Sequence, residues 1–142
     1  MSTIQFFYQK QLNSLRNRGK LKQFLLKTAK SFKREIGELN IVFCSDAYLL
    51  DINKKHLNHD YYTDIITFDL SETKGIIQSE IYISIDRVKD NAKSLNISFS
   101  RELHRVIFHG LLHLMGYKDK TTAAQKIMRK AEDGLLSSYF DK

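Results

Sequence analysis

At 142 residues, with 42% hydrophobic and 27% charged side chains, the chain has the length of one domain and a composition that excludes a disordered or fibrous polypeptide. No run of 18 or more apolar residues occurs, which argues against a membrane-spanning helix, and the first residues lack the charged-then-apolar pattern of a signal peptide, so a cytoplasmic protein is expected. The formal charge of +7 is segregated: residues 1–34 hold nine Lys or Arg and no acid, leaving 14 basic and 16 acidic residues, a net of −2, for the rest. Such a segment suits a polyanion, nucleic acid above all, or serves only as a solvated helix face that keeps the protein in solution.

Ile4, Phe6 and Tyr8 alternate with their neighbours and predict a first strand. Residues 10–19 are polar and predict a loop. From Lys20 to Ile36 the set Leu21, Phe24, Leu25, Thr28, Phe32 and Ile36 recurs at helical spacing, with Lys22, Lys27, Lys30 and Lys33 mostly on the outer side and Gly37 as terminator. Ile41 to Cys44 is apolar on both faces, which predicts a central strand in which Cys44, the single cysteine, is a buried, inert thiol. Asp46 can cap a short helix through about Asn53. Ile66, Phe68 and Leu70 alternate as a strand, residues 71–79 form a turn around Gly75, and Ile81, Ile83 and Ile85 alternate as another strand. A helix is expected from about Asp86 to Ser94. Ser98 or Ser100 can cap the next one, with Glu102 favourable in its first turn. Thr122 and Gln125 could form a capping box for a last helix with the stripe Ile127, Ala131, Leu135 and Tyr139. This order predicts an α+β fold, a small mixed β-sheet packed against helices, with residues 1–142 as one domain.

The chemistry concentrates in residues 101–120. Leu103, Val106, Ile107, Leu111 and Leu114 describe an amphipathic helix, on which His109 and His113 stand four residues apart. Side chains at that spacing are neighbours on one face and can share one zinc ion. Gly116 ends the helix, and the turn lets Asp119 supply a third ligand from off the helix axis. Two histidines and one carboxylate leave a fourth position for water, the mark of a catalytic rather than a structural site. The residue after the first histidine is Gly110, where zinc proteases carry the glutamate that takes a proton from water, so a peptidase of that type is disfavoured. The general base is unassigned.

The run His-Gly-Leu-Leu-His-Leu-Met-Gly-Tyr (109–117) resembles the signature of the YbeY family of bacterial metal-dependent endoribonucleases, usually His-Gly-x-x-His-Leu-x-Gly-Tyr-Asp-His. Here Lys118 and Asp119 occupy the last two positions, so Asp119 aligns with the family's third histidine. A carboxylate there shifts metal preference slightly toward harder ions. Residues 57–68, Leu-Asn-His-Asp-Tyr-Tyr-Thr-Asp-Ile-Ile-Thr-Phe, resemble the family's Arg-x-x-Asp-x-Pro-Thr-Asp-Val-Leu-Ser-Phe. Asp60, Thr63, Asp64 and Phe68 agree, Tyr62 replaces the proline, and Leu57 stands where the family usually has a functional arginine. Glu80 in Ser-Glu-Ile-Tyr-Ile-Ser resembles the family's Gly-Asp-Ile-x-Ile-Ser, so the resemblance covers roughly residues 40 to 120.

The resemblance implies a zincin-like metal helix beside a small mixed sheet and one Zn2+ per chain held by His109, His113 and Asp119. It further implies a single-strand-specific endoribonuclease acting in 16S rRNA 3'-end maturation and ribosome quality control, with rRNA, the ribosomal subunit or ribosomal proteins as partners. An arginine near such a site would stabilise the extra charge of a phosphodiester transition state. Lys54, Lys55 and Arg105 are the candidates to replace the one missing at Leu57, and Arg105 either points to the site along the stripe of His109 or forms a surface ion pair. His56, His59 and His104 are out of register with the metal residues. Asp60, Thr63 and Asp64 are read as fixing a turn before a strand. The alternative to an enzyme is a ribosome-assembly RNA-binding factor with a non-catalytic metal site.

Overall fold

The computed structural model describes residues 2–12 and 15–141. Alternating apolar residues make β1 (Thr3–Tyr8) the first strand, and α1 (Arg18–Ser31) follows. It begins two residues before the predicted start and ends five before the predicted end. Its last turn closes because Lys33 adopts a left-handed φ of 60° and the Arg34 amide returns to the Ala29 carbonyl at 2.9 Å. Ile36 and Gly37 therefore belong to β2 (Glu35–Cys44), where Gly37 sits at a register shift against the neighbouring strand. The glycine that reads as a helix terminator is instead the residue of a β-bulge, at which the backbone passes so close that an added Cβ would stand 3.0 Å from Ile76.

Next come α2 (Asp46–Leu57), β3 (Ile65–Asp69), β4 (Ile76–Ser84), α3 (Ile85–Leu95), α4 (Phe99–Leu114) and α5 (Thr122–Phe140). The predicted order of strands and helices is the observed one. The caps are set by side-chain oxygens one residue earlier than expected in two helices. Ser45, not Asp46, accepts from the Tyr48 amide at the start of α2, and Thr121, not Thr122, accepts from Ala124 at the start of α5. Of the two serines considered for α4, Ser98 is the cap, accepting from the Arg101 amide.

The sheet has the order β1-β2-β4-β3, with β1, β2 and β4 parallel and β3 antiparallel to β4, so it is mixed as expected. Its two faces are used differently. Leu39, Ile41 and Phe43 of β2 and Ile81 and Ile83 of β4 join the main core with α1, α3, α4 and α5, whereas Cys44, Ile66, Phe68 and Tyr82 pack under α2 in a smaller cluster. Cys44 is fully buried, its thiol 3.5 Å from the Ile83 carbonyl, and burial pushes it up to about 12, with the nearby Asp46 and Asp86 carboxylates adding to the effect; the inert reading holds. Helix α4 is the central piece. It touches β3 and β4 on one side and α1, α3 and α5 on others, and Leu103, Val106, Ile107, Phe108, Leu111 and Leu112 are all essentially buried. Burying a Leu, Ile or Phe side chain is worth about 1.5–3 kcal/mol each, so α4 is anchored by its packing, not by intrinsic propensity. No described helix is long and apolar enough to cross a membrane.

Candidate metal centre and its comparisons

His109 and His113 stand on the exposed edge of α4 near its C-terminal end, and Gly116, with φ of 104°, turns the chain away from the helix axis. The returning loop carries Asp119, whose backbone carbonyl accepts a hydrogen bond from Gln125 Nε2 of α5 at 3.0 Å. The three residues named from the sequence thereby line one pocket of about 260 Å3, together with Asp64, Thr63 and Arg105. Asp119 Oδ2 lies 3.4 Å from His109 Nε2. Two donors bound to one zinc at about 2.0–2.1 Å in a tetrahedron stand roughly 3.3–3.4 Å apart, so this pair has the separation such an ion imposes. His113 lines the same pocket with an exposed ring. As placed, no group of three or more His, Cys, Asp or Glu side chains among the described residues forms a ready-made metal cage.

The other nitrogen of His109 is spoken for. Nδ1 lies 2.6 Å from Glu132 Oε2, and Glu132, on α5, is only 2% exposed. A carboxylate on Nδ1 fixes the ring and its tautomer and leaves Nε2 aimed at the pocket, the usual arrangement behind a metal-ligating histidine. Burial alone would lower the pKa of His109, but the Glu132 carboxylate, with Asp64 and Asp119 further off, holds it above its ordinary value. The electrostatics of the site thus favour a positive charge at this ring, which a bound cation would supply in place of a proton.

Arg105 joins the network. Its Nε donates to Glu102 Oε1 at 2.7 Å, one terminal nitrogen to Glu132 Oε1 at 3.0 Å, and the other lies 3.9 Å from Asp64. Burial disfavours its charge, yet the bonds and charges of Glu102 and Glu132 keep it firmly protonated. The two open readings of Arg105 are both realised in part: it is ion-paired, but with a side chain 12% exposed and on the pocket wall, not on the surface. Lys54 and Lys55 pair with Asp60 and Asp51 instead, and Leu57 is 40% exposed at the end of α2, outside the pocket lining.

Asp64 does more than shape a turn. Its backbone carbonyl accepts from the Ser84 amide, while its side chain lines the pocket and accepts from Asn91 Nδ2 at 3.2 Å. Burial pushes its carboxyl above the usual range, against the pull of Arg105 and His109. His104 faces the opposite way, into the core, and His56 and His59 pack on Phe68 and Tyr61. Glu102 and Glu132 are the members that sequence reasoning missed. Glu132 lies on the buried face of α5 with Met128, Leu136 and Tyr139; of the predicted stripe Tyr139 is buried, Ala131 and Leu135 pack half-buried against the core, and Ile127 is 62% exposed. A glutamate four residues from both Met128 and Leu136 on a buried face was the available signal.

A mixed four-stranded sheet carrying a central helix with two pocket-facing histidines, a carboxylate on the following loop and a buried acid behind the first ring is the frame of a small α+β protein with one polar side-chain cluster on that helix. The comparisons assign it more closely. The family model described as "Endoribonuclease YbeY" matches residues 4–140, and the chain belongs to that family. A Cytophaga hutchinsonii protein named endoribonuclease YbeY is 56% identical over 135 residues, covering 95% of this chain and 94% of the relative. A Flavobacterium johnsoniae protein of the same name is 43% identical over 136 residues, covering 96% of each. The solution structure of TM1509 from Thermotoga maritima shares the fold, with a TM-score of 0.65 at 24% identity, over 98% of this chain and 90% of that one.

Proposed function

We propose that this chain is a metal-dependent endoribonuclease, a hydrolase of phosphodiester bonds in single-stranded RNA, with one zinc ion held by His109, His113 and Asp119. The observation that carries the reading is the convergence of these three side chains on one pocket, with the His109 ring already oriented by Glu132. The names of the similar proteins support RNA as the substrate class. A zinc ion bound there would supply a Lewis acid for a phosphoryl oxygen and a water acidified to about pKa 7. The chain's own residues supply the rest. Arg105 offers a fixed guanidinium on the pocket wall, Glu132 and Glu102 hold it, and Asp64, which lines the same pocket, would take the proton of the attacking water. The cellular setting we propose is 16S rRNA 3'-end maturation and ribosome quality control in the cytoplasm, with the ribosomal subunit or ribosomal proteins as partners.

Metal content by plasma emission, paired with cleavage of single-stranded RNA before and after chelation, tests the reading. About one zinc per chain is expected, as is chelator-sensitive cleavage. His109→Ala and His113→Ala should lose both, and Asp64→Asn should keep the metal and lose cleavage. Stoichiometric zinc retained in both alanine variants would sink the ligand assignment. One observation favours a second reading, an RNA-binding assembly factor with a non-catalytic metal. The pocket's guanidinium is already engaged by two buried glutamates, and Leu57 provides no other. Zinc without cleavage, even on ribosomal RNA, would select it.

A further inference from the structure

The pocket holding His109 does not end at the metal residues. A second depression of about 480 Å3 shares Arg105, His109 and Asp119 with it and continues along α5, where Gln125, Lys126 and Arg129 line it. The two depressions adjoin at these three shared side chains. Lys126 and Arg129 are three residues apart, so they are neighbours on one face of the helix, and both are exposed. The second depression also passes Thr122, in a helix whose first turn carries no acid, so the partial positive charge of the α5 N-terminus is unopposed there.

The charge balance gives this extension its meaning. Around the reacting position the four carboxylates of Asp64, Glu102, Asp119 and Glu132 exceed the summed charge of Arg105 and one divalent ion, −4 against +3, so the site stays net negative even when it holds its ion. A polyanion entering such a site is repelled unless cations flank it. Arg129 contacts Glu132 only at 3.8 Å and its side chain is 54% exposed, so that pairing is weak and its guanidinium remains available to a ligand.

We propose that the Lys126–Arg129 edge of α5 is a backbone-binding subsite for single-stranded RNA, gripping the phosphates on one side of the phosphodiester to be cut. This rests on the endoribonuclease reading and assigns a surface to it. The subsite reads charge and spacing, not base identity, since neither side chain is held in a fixed geometry for a base edge. The basic face of α1, where Lys27 and Lys30 line a separate depression beside Tyr139, is a different surface and provides the internal control.

The test is fluorescence anisotropy with a single-stranded oligouridylate of about 12 nucleotides, within the 4–16 that one single-strand site covers, at several salt concentrations. The zinc-loaded wild type is compared with Lys126→Gln/Arg129→Gln and with Lys27→Gln/Lys30→Gln. Each phosphate contact on a single strand contributes about 0.7 to the slope of log K against log salt. The α5 pair should lower that slope by about 1.4 and weaken binding roughly tenfold at low salt, while the α1 pair, equal in charge removed, should leave the slope unchanged. Lys126→Gln alone leaves the Arg129–Glu132 contact in place and should lower the slope by about 0.7. An unchanged slope in the α5 variants, or an equal drop in both pairs, overturns the subsite. A wild type that binds no RNA at all overturns the endoribonuclease reading, and the subsite with it.

Discussion

Glu132 shows what one buried charge does for its surroundings. One oxygen takes the Nδ1 side of His109 and the other takes Arg105, so a single carboxylate orients both a candidate metal ligand and the guanidinium of the pocket. A lone buried carboxylate costs several kcal/mol; here two cationic partners offset that cost and hold the Glu132 pKa below its ordinary value despite burial. Glu132→Gln keeps the shape and removes the charge. Zinc affinity, measured by competition with a chromophoric chelator, should fall 10–100-fold, the usual loss when such a supporting carboxylate goes. A variant that folds and binds zinc as tightly as the wild type would show that Glu132 only packs. The residue was hard to read from sequence because apolar counting rewards the stripe Ile127, Ala131, Leu135, which lacks a charge, over Met128, Glu132, Leu136, which contains one. That His109, His113 and Asp119 share one pocket was legible because the signal is local: two histidines one helical turn apart and a glycine that breaks the helix before the carboxylate.

At the scale of elements, the position of α4 over the sheet decides what its residues can do. Gly110 lies between the two histidines in sequence but on the inner face, where an added Cβ would come within 2.9 Å of Ile65 Cδ1 and 3.0 Å of Ile81 Cδ1. The helix rests directly on β3 and β4 at this point. A glutamate could not be accommodated there without lifting α4, which gives a physical reason for the missing protease glutamate. Gly110→Ala should therefore destabilise the protein despite the better helix propensity of alanine. Two isoleucine side chains must give way at once, an overpacking cost of about 2 kcal/mol, and the roughly 1 kcal/mol that alanine gains in helix propensity leaves about 1 kcal/mol net. A denaturant midpoint equal to or above that of the wild type would contradict this packing. Element boundaries were less legible than element order. Ile36 fits the helical spacing of Leu25, Thr28 and Phe32 as well as it fits a strand, and only the turn at Lys33, set by tertiary pairing of β2 with β4, separates the two. Similarly, Ile85 continues the alternation of Ile81 and Ile83 yet opens α3, because the Ser84 hydroxyl accepts from the Arg87 amide and starts the helix there.

Taken as a whole, the molecule is closed by the end of α5, and one titratable group sits in that seam. His104 of α4 is 3% exposed, stacks on Tyr139 at 5.1 Å and meets the edge of Phe140 at 5.0 Å. Its Nδ1 donates to the Ser100 carbonyl at 2.6 Å, which fixes the proton on that nitrogen, and its Nε2 is buried with no hydrogen-bond partner among the described residues. Burial, and secondarily the charge of Lys20 on α1, lowers its pKa, against the opposing effect of the Ser100 bond. A folded-state pKa below the unfolded value of about 6.5 means that, as pH falls past that value, the unfolded chain binds a proton that the folded one refuses. The stability from a neutral His104 is thus fully present above about pH 6.5 and is lost on acidification toward the folded pKa. His109 carries the opposite sign, its raised pKa giving stability that is lost as pH rises, so the wild-type profile alone mixes the two. The difference between wild type and His104→Phe separates them. Phenylalanine fits the aromatic surroundings but cannot titrate, so the stability of the variant minus that of the wild type, read from denaturant midpoints, should rise as pH drops from 7 toward 5. Parallel stability curves across that window would mean that the His104 ring takes up its proton without leaving the seam, and that the packing of α5 against α4 is looser than these contacts imply.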